Sequence, residues 1–177
     1  MMDEYDSRLM ERALGAARSA MQNGENPIGC VLAVDGKVVA IGETRVARGG
    51  PACHGENSMI ECLGHRIWSV ASSAVLYSTL ELCLMCIGAC INAGITKIYY
   101  GMDAVDGGGY ALGAINAGLT NKLIIHGPTA HSQVVRLFQE YLTISRNEGR
   151  IQYARSLLAF HDTFHCKINK TYCKPYI

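Results

Sequence analysis

An Asp-Gly pair at positions 35–36 separates two β-rich runs, IGCVLAV at 28–34 and KVVAIG at 37–42. Such a pair between strand-like runs is a strong short-range hairpin signal. Beyond it the pattern changes to alternation. Residues 54–63 read as a helix, 74–79 (AVLYST) as a strand, 83–93 as a helix and 97–101 (KIYYG) as a strand. One more strand follows at 123–127 (LIIHG). The last two strands are separated by a helical stretch of crossover length, roughly 20 residues, so they should run parallel. An opening hairpin followed by alternating helices and strands implies an α/β fold. The expectation is a three-layer αβα sandwich around a mixed five-stranded sheet.

The remaining segments fit around that sheet. Leu9, Ala13, Ala16, Ala17, Ala20 and Met21 recur at helical spacing within 3–23, and Gly24 supplies a stop. Residues 44–52 hold Gly49, Gly50 and Pro51 and read as a loop. Gly107, Gly108 and Gly109 break the chain before a short helical stretch, YALGAINAG. Helices are expected over 132–146 and 151–160. Hydrophobic residues make up 49% of the 177 positions, enough to bury a core and exclude disorder. No repeat or linker divides the first 160 residues, so 1–160 is expected to be one domain and 161–177 a C-terminal arm of different composition.

Eight cysteines are present, but the opening segment MMDEYDSRLMERAL is acidic and amphipathic, unlike a secretory signal. The longest apolar stretch, 80–95, carries Glu81 and Asn92 and is too short to span a bilayer. A cytoplasmic location with reduced thiols is expected. There, closely spaced cysteines point to metal or catalysis rather than disulfides. The formal net charge is +1, which gives no global electrostatic footprint for nucleic acid.

Two short patterns carry chemistry: His54-Gly55-Glu56 and Cys83-Leu84-Met85-Cys86. Each alone is weak, but each opens an expected helix. Residues i and i+3 share a helix face, so Cys83 and Cys86 can grip one ion. A helix N-terminus also lowers a thiol's pKa and favours ligation. One imidazole and two thiolates make three protein ligands, leaving a fourth tetrahedral position open, as in catalytic zinc sites. Glu56, two residues from His54, can stand beside the ion without ligating it and shuttle protons.

With these motifs the chain resembles the zinc-dependent cytidine/nucleobase deaminase superfamily, whose pattern is H-x-E…P-C-x-x-C. The resemblance runs over residues 5–145 through GENPIGCVLAVDGKVVAIG, ACHGEN, LYSTLELCLMCIGACINAGI and KIYYG. It is similar to the branch that joins cytosine and guanine deaminases with tRNA adenosine deaminases. It implies a cytidine deaminase-like catalytic domain, a Zn2+ cofactor on His54, Cys83 and Cys86, Glu56 as catalytic proton carrier, and a homodimer. It further implies substrate contacts by the Gly55 backbone N–H and by a carbonyl at Glu81. Leu82 replaces the proline usual before the first cysteine. Thr44 stands where the family usually has a base-binding asparagine, and a hydroxyl lacks the paired donor and acceptor of an amide.

From near-neutral charge and the absent asparagine, the expected reaction is hydrolytic deamination of a free nucleobase or related amino-heterocycle, cytosine first and guanine second. The expected partner is then a small molecule, with RNA not favoured. A tRNA adenosine-to-inosine deaminase, supported by STLE before the first cysteine, is the alternative. The non-enzymatic alternative is a structural-zinc protein with Cys90, one turn beyond Cys86, as fourth ligand. Cys30, Cys62 and otherwise Cys90 are read as packed core thiols. Tyr110 is read as packing or as a stacking residue. His161, His165, Cys166 and Cys173 fit no standard zinc spacing, and Lys167, Lys170 and Lys174 could contact a partner or RNA.

Overall fold

The computed structural model describes residues 5–108, 117–118 and 122–168, with side chains through 161. Tyr110, most of the stretch around it and the side chains of the terminal arm beyond His161 lie outside these described residues.

Helix α1 (Ser7–Gln22) opens on Asp6, whose carboxylate accepts the Arg8 N–H at 2.9 Å. It buries the expected Leu9, Ala13, Ala16, Ala17, Ala20 and Met21 stripe. Small residues on that stripe allow a close approach to β1 (Gly29–Val34). A Cβ on Gly29 would lie 2.4 Å from the Ala17 backbone nitrogen, so glycine is required there. The Asp35-Gly36 turn leads into β2 (Lys37–Glu43), antiparallel to β1. One turn of helix, α2 (Val46–Gly49), interrupts the expected loop, and α3 (Gly55–Leu63) follows. The short α4 (Ile67–Val70) leads to β3 (Ala74–Leu80), α5 (Leu84–Ala93) and β4 (Lys97–Met102). Then come β5 (Ile124–His126), α6 (His131–Ile144) and α7 (Glu148–Ile168).

The sheet order is β2-β1-β3-β4-β5, with β1–β3 antiparallel and both β3–β4 and β4–β5 parallel. This is the expected mixed five-stranded sheet. Leu9, Leu14, Tyr77, Phe138 and Leu157 belong to the core that joins one sheet face to α1, α6 and α7. On the other face Met59, Leu76, Ile87 and Cys90 join it to α3 and α5. Strand β3 is buried along its whole length, as a central strand covered on both faces must be. Its alternation sends Leu76 and Ser78 toward α3 and α5 and Tyr77 toward α1.

Two expectations about cysteines divide here. Cys30 and Cys90 are buried core thiols, but Cys62 is exposed. Met59 and Leu63, four apart on α3, take the core face, which turns Cys62 outward. Among the described residues, no helix is long and apolar enough to cross a membrane.

Candidate active site

The site lies at the carboxyl end of β3, where parallel α/β sheets open their crevices. Strand β3 ends at Leu80, and Glu81 and Leu82 carry the chain to Cys83, the N-cap of α5. His54 is the N-cap of α3. The two expected motifs therefore meet as two helix N-termini facing each other. Gly42 makes that meeting possible, because a Cβ there would sit 2.1 Å from the Gly55 carbonyl oxygen.

His54 Nδ1 lies 3.7 Å from Cys83 Sγ and 3.6 Å from Cys86 Sγ. One ligand atom from each of the three residues falls within 4.8 Å of the others. Bond lengths for zinc put nitrogen and sulfur about 3.6 Å apart around a tetrahedral ion. The two measured separations match that figure, so the donor set fits zinc. Cys90 is fully buried and stands outside this cluster. The structural-zinc alternative therefore lacks its fourth ligand among the described residues.

Electrostatics favour a cation here. The half-buried Cys83 thiol is pulled down to about 4, because Cys86 and His54 both hydrogen-bond its sulfur. Cys86 moves the other way, raised by its bond to Cys83, by burial and by the Glu56 carboxylate. Its bond to Cys83 likewise raises His54. Glu56 is buried at 4% exposure, and its two oxygens have different tasks. Oε1 accepts the Ser78 hydroxyl at 2.7 Å, while Oε2 accepts Cys86 S–H at 3.5 Å on the metal side. A carboxylate fixed through one oxygen keeps the other aimed at the reacting position.

The remaining sequence candidates are placed less centrally. Gly55 is the first residue of α3, so its N–H is one of that helix's orphan donors beside the cluster. Glu81 lines the cleft, and its carboxylate accepts the Ala104 N–H at 3.1 Å. It therefore stands in the strand-to-helix connection rather than in the first turn of a helix. Thr44 is buried, donates its N–H to the Ile28 carbonyl and is not among the described residues that line the cleft.

Ile28, Leu80, Leu82, Asp106 and Tyr153 complete the lining of a cleft of about 290 Å3, open mouth included. Sequence reasoning missed Ser78, Asp106 and Tyr153. Ser78 could have been found as the one hydroxyl on the Leu76 and Leu80 side of the strand. Asp106 and Tyr153 carry no local signal.

A mixed sheet with an imidazole, two thiols and a carboxylate gathered at two facing helix starts defines the cytidine deaminase class. The MafB19-like deaminase family model matches residues 4–150, and the chain belongs to that family. The tRNA-specific adenosine deaminase of Agrobacterium fabrum is 39% identical over 107 residues, covering 58% of this chain and 68% of that protein. That of Bacillus subtilis is 33% identical over 106 residues, covering 58% and 65%. A solved structure from a study of A-to-I editing by tRNA:A34 deaminases at the wobble position is 30% identical. It superposes with a TM-score of 0.62 over 75% of this chain and 99% of that one. Guanine deaminase from Nitrosomonas europaea shares the fold, with a TM-score of 0.66 at 16% identity over 80% and 86%.

These relatives overturn two expectations. Proteins named tRNA-specific adenosine deaminases, at 32–39% identity, displace the free-nucleobase reading of the reaction. They also displace the small-molecule partner with RNA not favoured. The physical reason is that net charge sums over the whole surface, whereas nucleic-acid contact depends on where charge and stacking groups stand.

Proposed function

We propose that this chain is a zinc-dependent hydrolytic deaminase that converts adenosine to inosine in a tRNA. The His54–Cys83–Cys86 cluster, with Glu56 fixed beside it by Ser78, is the observation that carries the chemistry. The relatives at 32–39% identity support the substrate class. The metal cluster lines a cleft, and a base inside a stem is out of its reach, so the target nucleotide enters flipped out of its stack.

His54, Cys83 and Cys86 would hold the metal. Zinc bound there supplies a Lewis acid that brings a water's pKa toward ~7. Glu56 Oε2 faces the cluster and carries the protons, first to the ring nitrogen of the base and then to the departing amine. Ser78 keeps Oε1 occupied, so the proton stays on Oε2. Water replaces the exocyclic amine, and ammonia is released.

The test is mass-spectrometric detection of inosine in an adenosine-containing anticodon stem-loop incubated with zinc-loaded protein. Binding should weaken steeply as salt rises, because phosphate contacts release counterions. A stem-loop that is neither bound at low salt nor edited would end the substrate reading.

A further inference from the structure

The cleft is not closed by the motif-bearing elements alone. Helix α7 places Tyr153 in its lining, beside His54, Glu56, Cys83, Cys86 and Asp106. Tyr153 lies three positions beyond the stretch matched by the deaminase family model, which stops at 150.

This tyrosine is held in place. Its hydroxyl donates to Asp106 Oδ1 at 3.3 Å, and Asp106 itself faces the cleft. One residue on, Ala154 is fully buried, as is Leu157 a turn later, so the helix is part of the core. The helix is tied at two points. The Arg150 guanidinium donates to the Gly24 carbonyl near its start. Further along, His161 Nε2 donates to the Asp103 carbonyl at 2.8 Å, leaving Nδ1 to accept from His131 Nε2 at 2.9 Å. Burial and the Asp106 carboxylate both raise the phenol's pKa, so it stays a neutral donor. A neutral aromatic ring beside a carboxylate suits a base and disfavours a phosphate.

We infer that Tyr153 is a specificity-determining residue that contacts the target base, with Asp106 as its positioning residue. This rests on the proposed RNA substrate. The inserted base enters between the metal-binding floor and this ring, so part of RNA affinity comes from the base itself. Base–aromatic contacts are worth roughly 10-fold in affinity, and up to about 100-fold, when the aromatic is removed.

The experiment compares two stem-loops, one with adenosine at the target position and one abasic there. Binding is measured to Glu56→Gln protein, which leaves the target adenosine unconverted, and to the same protein carrying Tyr153→Leu or Tyr153→Phe. Leucine keeps apolar bulk against the core, and melting and zinc content report on folding. In Glu56→Gln protein the adenosine stem-loop should bind at least roughly 10-fold tighter than the abasic one. Tyr153→Leu should collapse that ratio toward one, whereas Tyr153→Phe should keep most of it. An unchanged ratio in Tyr153→Leu, with melting and zinc content intact, would overturn the assignment. No preference for adenosine in Glu56→Gln protein itself would instead overturn the RNA reading, and this inference with it.

Discussion

The floor and the rim of the cleft are built differently. The floor comes from two helix starts, α3 and α5, each carrying its chemistry within a window of four residues. The rim comes from a loop after β4 and a late helix, whose residues Asp106 and Tyr153 are 47 positions apart. The floor's helix starts are set by backbone approach, Gly42 against the Gly55 carbonyl, with the Ser78 hydroxyl holding Glu56. The rim's loop is tied by the Gly108 N–H to the Leu82 carbonyl at 2.8 Å, and its ring by a side-chain bond, Tyr153 to Asp106. The floor thus rests mainly on close backbone approach, while the rim's ring rests on one side-chain pair.

Substitutions can break this contrast, beginning at the floor. Cys86→Ala removes a buried ligand and leaves two, so zinc content should fall from near one per chain to near zero, with activity lost. Metal analysis by mass spectrometry checks it, and stripping the native protein with a chelator should have the same effect, reversed by added zinc. Gly42→Ala drives a Cβ into the Gly55 carbonyl and should cost about 1–3 kcal/mol, read as a lowered Tm, with activity falling alongside. Ser78→Ala removes the hydroxyl that holds Glu56 Oε1 and leaves a buried carboxylate oxygen without that partner. It should cost about 1–3 kcal/mol and lower kcat more than it raises KM.

A titration tests the electrostatics of the floor. Cys83 is an acid whose pKa is lowered, so its thiolate persists as pH falls from 9.0 and is lost only through about 4. In metal-free protein, alkylation followed by peptide mass spectrometry should find Cys83 labelled well below pH 7, while Cys86 resists. The smallest expected effect lies at the rim. Asp106→Asn keeps an acceptor for Tyr153 and should change KM for the stem-loop by no more than about threefold, less than removing the ring does.

The same contrast explains what could be read from the sequence. The hairpin, the alternation and the parallel pair are local patterns, and all appear in the sheet. His54, Glu56, Cys83 and Cys86 were legible because each motif sits in one helical turn. Tyr153 was not, because nothing near residue 153 indicates that α7 folds back over the carboxyl end of β3. Cys62 was misplaced because helical phase, not residue type, decided its exposure. The substrate class was not legible for a related reason: a sum of charges says nothing about position.

The proposed reaction, adenosine to inosine in RNA, turns on Glu56 beside a zinc held by His54, Cys83 and Cys86. The most direct measurement is inosine formed in an adenosine-containing anticodon stem-loop by native and Glu56→Gln proteins shown to hold equal zinc. Inosine is expected from the native protein, with a rate lower by roughly 10²–10⁴ in the variant. Equal rates from the two, or no inosine from zinc-replete native protein, would contradict it.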